Sequence, residues 1–90
     1  MSEEMYKLTL ARQAARYYNR VDTSTVQRLN RCFMALQQDP VSGGDIKPLK
    51  GEEDTYRYRV GNLRVVYHLG RKRKVVTVLA ILPRGEAYKK

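Results

Sequence analysis

Three arginines flank a glycine turn in the stretch TYRYRVGNLRVVYHL, Thr55 to Leu69. Arg57 and Arg59 alternate with tyrosine and valine ahead of the Gly61-Asn62 pair, and Arg64 follows that pair. This alternation predicts two β-strands, and the glycine supplies the positive φ that a two-residue hairpin turn needs. Guanidinium groups hold phosphate through paired donors and keep their charge at any working pH. The stretch therefore indicates a hairpin that could present a phosphate-sized anion site.

The turn fixes the register of the predicted hairpin and pairs Arg59 with Arg64. Side chains directly opposite each other project from one face. One face then carries Arg57, Arg59, Arg64 and His68, and the other, apolar enough to receive helices, carries Tyr56, Tyr58, Val60, Leu63, Val65, Tyr67 and Leu69. Because a like-charge cross-strand pair is destabilising, an anion bound between the two arginines would offset its cost. The pattern fits equally an outward, solvated face whose long cations suppress aggregation.

The net charge of +9 arises entirely in the C-terminal part of the chain. Residues 1–54 contain eight basic and eight acidic residues, whereas residues 55–90 contain ten basic residues and one acid, Glu86. Such a concentrated field favours a polyanion: nucleic acid, an acidic protein or an anionic membrane surface. A basic surface kept for solubility is the simpler alternative, although solubility does not require this asymmetry.

Length and composition bound the class of protein. Ninety residues, of which 42% are hydrophobic and 30% charged, are typical of one small folded domain, residues 1–90. One cysteine, Cys32, excludes an intrachain disulfide, and no hydrophobic run reaches the length of a membrane span or signal peptide. We expect a reduced, cytoplasmic protein. No cluster has metal-ligand spacing and no nucleotide-binding glycine loop occurs, so neither a metal nor a cofactor is expected.

Six elements in the order β-α-α-β-β-β are predicted to position the arginines. A short edge strand covers Tyr6 to Leu10, and two helices with apolar residues every three or four positions follow it. Asp22, or the Thr23-Ser24 pair, can cap the second helix, which ends at Asp39-Pro40. Val41 to Asp54, with three glycines and one proline, is predicted to be a loop.

Three strands are predicted in the second half of the chain: Thr55 to Val60, Asn62 to Leu69, and Lys74 to Leu82. The last is almost continuously apolar, as expected for a strand buried on both faces. The fold class is therefore α+β, with a helical hairpin packed on one face of a mostly antiparallel sheet.

Two further candidates follow the last predicted strand. Arg84 comes directly after it, and Tyr88 follows four residues later. A tyrosine near a basic face can stack on a base or transfer a proton through its hydroxyl. Considered alone, Tyr88 fits a partly packed surface tyrosine better than a functional group.

The combination LKG…YRYRVGNLRVVYHL…VVTVLAILPRGEAY resembles the RelE/ParE toxin superfamily, and its RelE branch in particular. The resemblance covers nearly the whole chain, and YRVGNLRVVY is its most specific part. It implies the RelE-like fold and a type II toxin: a ribosome-dependent endoribonuclease that cleaves messenger RNA in the decoding (A) site and inhibits translation. The implied partners are a cognate antitoxin, the ribosome, and operator DNA only through the antitoxin; no membrane is implied.

The resemblance also implies roles for particular residues. Two basic residues before the family's turn correspond to Arg57 and Arg59, and the arginine after the turn corresponds to Arg64. The arginine and tyrosine after the family's last strand correspond to Arg84 and Tyr88. The loop containing Lys47 and Lys50 is expected to face ribosomal RNA. The basic turn after the second strand of the hairpin is expected to be solvated or to contact ribosomal RNA, through Arg71, Lys72, Arg73 and Lys74.

Two departures from the family pattern are visible in the sequence. Pro83 stands before Arg84, where the superfamily often has histidine. His68, the chain's one histidine, has no clear counterpart in the family's active site, and we interpret it as structural or incidental.

The implied mechanism is metal-free attack of an RNA 2′-hydroxyl on its own adjacent phosphate. Arg64 is the first choice for stabilising the phosphorane, and Arg84 the second. Tyr88 is a candidate general base or stacking group. Because arginine hardly deprotonates, electrostatic roles are expected for Arg57 and Arg59. With no paired histidines or histidine–glutamate pair, activity on free RNA should be weak, and the ribosome would supply the orientation.

Three alternatives remain open at this point. A ParE-type toxin shares the fold but poisons DNA gyrase, and it does not need the basic pair Arg57 and Arg59 together with Arg84 and Tyr88. A non-catalytic basic module would bind RNA with a strong salt dependence and leave it intact. A toxin that has lost its activity would keep the fold without the reaction.

Overall fold

The computed structural model describes residues 5–83 of the chain, which form two helices and five strands. In chain order these are β1 (Lys7–Leu10), α1 (Arg12–Tyr18), α2 (Thr23–Gln38), β2 (Ile46–Pro48), β3 (Thr55–Val60), β4 (Leu63–Gly70) and β5 (Val75–Pro83). The strands make one sheet in the order β1-β5-β4-β3-β2. β1 is parallel to β5, and the other neighbouring strands are antiparallel. The predicted α+β fold class is confirmed.

No helix within residues 5–83 combines the length and the apolar character needed to cross a membrane.

Helix α2 begins and ends at aspartates. The Asp22 carboxylate accepts a hydrogen bond from the Thr25 backbone N–H at 3.0 Å, which satisfies one free donor of the first turn. Hydrogen bonding from the side chain and the backbone N–H of Thr25 lowers the pKa of the Asp22 carboxyl group. The helix ends at Gln38, where Asp39 is the C-cap and Pro40 follows it. The predicted cap and stop are both confirmed.

The core lies between the helices and one face of the sheet. α1 contributes the fully buried Ala14, and the largest fully buried core side chains come from α2 and the central strands: Leu29, Leu36, Val65, Tyr67, Leu69, Val76, Val78 and Ile81. The Tyr67 ring stacks on that of Tyr56 with centroids 5.7 Å apart, and the Tyr67 hydroxyl donates to the Pro40 carbonyl at 2.6 Å. Because this bond satisfies the hydroxyl, a tyrosine can occupy the centre of an apolar core. Burial raises the pKa of that hydroxyl well above its ordinary value.

Gln13 of α1 extends the sheet beyond the end of β1. β1 pairs with β5 only as far as the Leu10–Val78 pair. Farther along β5, the Gln13 amide donates to the Ile81 carbonyl at 3.2 Å and accepts from the Ile81 N–H at 2.9 Å. The side chain thus satisfies backbone groups that β1 leaves unpaired. It fixes the part of β5 that leads towards the candidate Arg84.

The structure corrects the prediction that Val41 to Asp54 is a single loop. The short strand β2 lies within it and pairs with β3 at the sheet edge. Three residues that include a proline give almost no alternating signal, although an edge position tolerates a residue without an N–H. The consequence is that Lys47 belongs to the sheet.

The last two strands also differ from the prediction. β4 and β5 each begin and end one residue later than expected. Their later starts follow from Asn62, which lies in the turn, and from Lys74, which adopts a φ of +56°. Burial of β5 on both faces was wrong: Thr77, Leu79 and Leu82 remain partly exposed. The helices described within residues 5–83 pack on the core face, so the other face of β5 is only partly covered.

Candidate functional site

The β3–β4 hairpin holds the arginines in the predicted register. Arg59 lies opposite Arg64, Arg57 lies opposite Val66, and Gly61 in the turn has a φ of +55°. Because paired residues project from the same face, the three arginines share one face of the sheet. The predicted arginine face is therefore confirmed by the strand pairing.

An open depression of about 200 Å³ lies on this face, and we call it the basic pocket. It is lined by Gly44, Asp45, Lys47, Arg57, Arg59 and Arg64. Lys47 joins the arginines because it pairs with Arg57 across β2 and β3. Arg57 and Arg64 are half-buried, whereas Arg59 and Lys47 are exposed. Four cations against one carboxylate make the pocket favourable for an anion of phosphate size.

The positive charge of the basic pocket is not cancelled by ion pairing within residues 5–83. No carboxylate of that part of the chain lies within 4 Å of the side-chain nitrogens of Arg57, Arg59 or Arg64. Cations held close together in a partly desolvated depression repel one another. An anion entering the pocket would therefore replace repulsion with attraction.

Sequence reasoning missed Asp45 and the true position of Lys47. The Asp45 carbonyl accepts a hydrogen bond from the Arg59 N–H at 3.1 Å, which holds the segment before β2 against β3. The polar–apolar–polar order of Asp45, Ile46 and Lys47 is the available signal of a strand here. Three residues are too few for that alternation to be recognised among loop residues.

The other candidate cations lie away from the basic pocket. Lys50 is exposed in the connection between β2 and β3. The turn after β4 lies at the end of that strand opposite the Gly61 turn, about 25 Å away for eight residues in extended conformation. Its four exposed cations are Arg71, Lys72, Arg73 and Lys74. The structure thus separates these predicted RNA contacts from the three arginines.

Arg71 has partners of its own within the fold. Its Nε donates to the Asp54 carboxylate at 2.9 Å, and its Nη2 donates to the Tyr56 hydroxyl at 3.0 Å. The hydrogen bond to Asp54 raises the pKa of the Arg71 guanidinium. This side chain therefore links the β4–β5 turn to the start of β3.

The histidine, the cysteine and the two candidates after β5 remain to be placed relative to the basic pocket. His68 is exposed opposite Thr55 and does not line the basic pocket. Cys32 is buried in the core, and burial raises the pKa of its thiol to about 12, so it stays protonated and unreactive. The candidates Arg84 and Tyr88 lie outside the described residues.

We expect removal of one arginine from the facing pair to stabilise the free protein. Replacing Arg59 with threonine, a good strand former, relieves the repulsion from Arg64 and should raise the free energy of unfolding by about 0.5 kcal/mol at low salt. Added phosphate should stabilise the wild type and so reduce the difference in the free energy of unfolding between the wild type and Arg59→Thr. Urea denaturation with and without phosphate measures both effects. Lys7→Thr, at an exposed position of β1, is the matched control, and an equal gain there would show that the facing pair is not responsible.

The turn glycine gives a second prediction. A Cβ at Gly61 would lie 2.8 Å from Arg28 Nη1, but that group ends a flexible side chain and can move aside. The left-handed backbone angle is thus the main cost of a substitution, and Gly61→Ala should lower the free energy of unfolding by about 1 kcal/mol. Gly61→Asn should lose less, because asparagine tolerates this conformation. Equal losses in urea denaturation would instead assign the cost to the contact with Arg28.

Comparison with known protein families shows one match that covers most of the chain. Residues 8–88 match the family described as "ParE toxin of type II toxin-antitoxin system, parDE". No curated protein matches the chain significantly.

Solved structures of toxins share the fold. A chain of the archaeal RelE–RelB complex from Pyrococcus horikoshii is 29% identical with a TM-score of 0.80, covering 92% of this chain and 99% of that one. The isolated Escherichia coli RelE toxin is 18% identical with a TM-score of 0.78, over 91% of this chain and 87% of that one. A YoeB/ParE toxin from Agrobacterium tumefaciens is 23% identical with a TM-score of 0.75, and the similarity covers 87% of this chain and 98% of that one. The latter two similarities establish the fold alone.

The sheet order, the arginine hairpin and the match over residues 8–88 agree with one another. The chain belongs to the RelE/ParE superfamily and is a toxin of a type II toxin–antitoxin system.

Proposed function

We propose that this toxin is a ribosome-dependent endoribonuclease that cleaves messenger RNA in the decoding site. The observation that carries the proposal is the basic pocket, where Lys47 and three arginines converge on one phosphate-sized depression. A nuclease needs such convergence because negative charge accumulates on a single phosphorus centre in its transition state. The 29% identity to a chain of the archaeal RelE–RelB complex supports the same assignment.

The proposed reaction is an internal transfer at one phosphate. The 2′-hydroxyl of a ribose gives up its proton as its oxygen bonds to the adjacent phosphorus, the bond from phosphorus to the 5′-oxygen breaks, and the 5′-oxygen takes up a proton. The products are a 2′,3′-cyclic phosphate and a 5′-hydroxyl, and addition of water can open the cyclic phosphate to a 3′-phosphate. Arg64 stabilises the phosphorane, since it is half-buried and therefore less screened by water than an exposed cation.

The other residues of the site have supporting roles in this proposal. Arg57 and Arg59 orient the phosphate through their guanidinium donors, because arginine is a poor proton donor or acceptor. Arg84 adds positive charge, and Tyr88 acts as general base or stacks on the substrate base. These last two assignments come from the family resemblance.

The ribosome is the proposed source of the remaining geometry. Among residues 5–83, the basic pocket is lined by cations and one carboxylate and contains no imidazole. Proton transfer to and from the RNA is therefore weakly supported by this chain, and orientation by the ribosome would supply several kcal/mol. Lys50 and the basic turn after β4 are exposed, and in this proposal they contact ribosomal RNA.

The proposed partners also include a cognate antitoxin. The archaeal structure similar to this chain is that of a RelE–RelB complex. An antitoxin with acidic segments would complement the net charge of +9 on this chain. Contact with operator DNA is proposed only through that antitoxin.

A second candidate function is poisoning of DNA gyrase, which the ParE name of the matching family favours. A gyrase-binding toxin has no chemical need for four cations around one phosphate-sized depression. A non-catalytic RNA-binding module would use the same basic pocket but would leave the RNA intact.

One experiment with two arms separates these functions. The purified toxin is added to a defined translating ribosome complex, where primer extension maps messenger-RNA ends, and separately to a gyrase supercoiling reaction. We expect cuts in the decoding-site codon, no cuts in the same RNA without ribosomes, and unchanged supercoiling. Inhibited supercoiling without RNA cuts would instead support the gyrase poison. Salt-dependent RNA binding without cuts would support the binding module.

A further inference from the structure

A second open groove, of about 210 Å³, lies between α2 and β3, and we call it the α2–β3 groove. Arg28 and Arg31 of α2 line one wall, and Tyr58, Arg59 and Val60 of β3 line the other. Arg59 lines the basic pocket as well, so the two depressions adjoin at this residue. The positive surface therefore continues from the sheet onto the helix.

Arg28 and Arg31 both line this groove, and neither forms an ion pair in the described part of the chain, although the charge of Arg28 helps to lower the pKa of the Asp22 carboxyl group. They are three residues apart, which places them on one face of the helix, and both are exposed. Arg28 Nη1 reaches the β3–β4 turn, because it lies 2.8 Å from the position of a Cβ on Gly61. No carboxylate of residues 5–83 lies within 4 Å of either guanidinium.

We propose that the α2–β3 groove binds a second phosphate of the RNA strand whose scissile phosphate occupies the basic pocket. This inference rests on the proposed nuclease function and extends it to the neighbouring nucleotide. Arg28 and Arg31 hold the second phosphate through guanidinium donors, and Arg59 lies between the two phosphates. The half-buried Tyr58 offers a ring surface against which a base can stack, a contact available to every base.

The chemistry of the groove favours a nucleic acid over an acidic peptide. Of the described residues, Asp45 is the one carboxylate lining the groove, and three arginines outnumber it. Apart from Tyr58, the apolar side chains that line the groove are those of Val60 and Cys32. This apolar area is small, whereas the centre of a protein–protein interface is generally larger and more apolar. Burial raises the pKa of the Tyr58 hydroxyl, so this group stays neutral and does not repel a phosphate.

The test measures the salt dependence of RNA binding. A short single-stranded RNA with 2′-O-methyl sugars cannot undergo the cleavage reaction and serves as the probe. The groove variant Arg28→Gln/Arg31→Gln should lower the slope of log affinity against log salt by about 0.7, the value for one lost phosphate contact on a single strand. The control Arg12→Gln/Arg16→Gln removes two exposed arginines from α1 and should keep the wild-type slope. The single variant Arg31→Gln changes one side chain and so perturbs the fold less than the double variant, and it should also lower the slope of log affinity against log salt.

The outcomes separate this inference from the proposed function. Equal slopes for the groove variant and the wild type would overturn the second phosphate site while leaving ribosome-dependent cleavage untouched. If the groove variant lowers the slope of log affinity against log salt but the wild-type toxin makes no messenger-RNA cuts on ribosomes, the second phosphate site would be supported and the nuclease function contradicted. Unchanged RNA binding with weakened binding of a polyglutamate peptide would make the groove a protein docking site and overturn the inference. Absence of RNA binding by the wild type would overturn it as well.

Discussion

Arg64→Ala is expected to lower the single-turnover rate of messenger-RNA cleavage on the ribosome by about 10²–10³-fold. Arg64 is half-buried, lines the basic pocket and lies directly opposite Arg59. In the proposed mechanism its guanidinium stabilises the charge that develops in the transition state, and alanine would leave water in its place. The measurement is a time course of cleavage with toxin in excess over ribosome complexes.

Two controls make this result specific to the basic pocket. Arg12→Ala removes the same side chain from an exposed position on α1 and should leave the rate close to that of the wild type. Arg64→Lys keeps the charge but loses the bidentate donor geometry, so we expect an intermediate rate. Similar losses for Arg12→Ala and Arg64→Ala would mean that net charge, and not the basic pocket, determines activity.

Leu36→Ala should produce the largest loss of stability, about 2–5 kcal/mol in the free energy of unfolding. Leu36 is fully buried in the core that joins α2 to the sheet. Alanine would remove apolar contacts and leave a cavity that a well-packed small domain cannot fully close. Urea denaturation followed by circular dichroism measures the change.

Met34 supplies the matched control on the same helix. Its side chain is 58% exposed, so Met34→Ala should change the free energy of unfolding by no more than about 0.5 kcal/mol. The free energy of unfolding of a domain of this size is only a few kcal/mol, so Leu36→Ala should be partly unfolded near physiological temperature. Equal effects of the two substitutions would contradict the packing of α2 on the sheet.

The arginine hairpin could be predicted from the sequence because its signals are local. Alternation fixes which side chains share a face, and a glycine at the turn fixes the register. The Arg59–Arg64 pair follows from these two facts, and the structure reproduces it. The cap at Asp22 and the helix end before Pro40 were predictable for the same reason.

The rest of the site depends on contacts between distant parts of the chain. Lys47 reaches the basic pocket only because a three-residue strand pairs with β3, and Arg28 reaches the Gly61 turn only because α2 packs beside it. Local periodicity contains no information about either contact. The continuous apolar run of β5 likewise could not reveal that one of its faces is only partly covered.

The central proposal, attack of an RNA 2′-hydroxyl within the decoding site, can be tested by changing the substrate and keeping the toxin intact. Two ribosome complexes are prepared that differ only in the decoding-site codon, which carries ribose in one and 2′-deoxyribose in the other. We predict cleavage of the ribose codon with a 5′-hydroxyl on the downstream fragment, and no cleavage of the deoxy codon. Equal cleavage of both codons, or cleavage of neither, would contradict the proposed reaction.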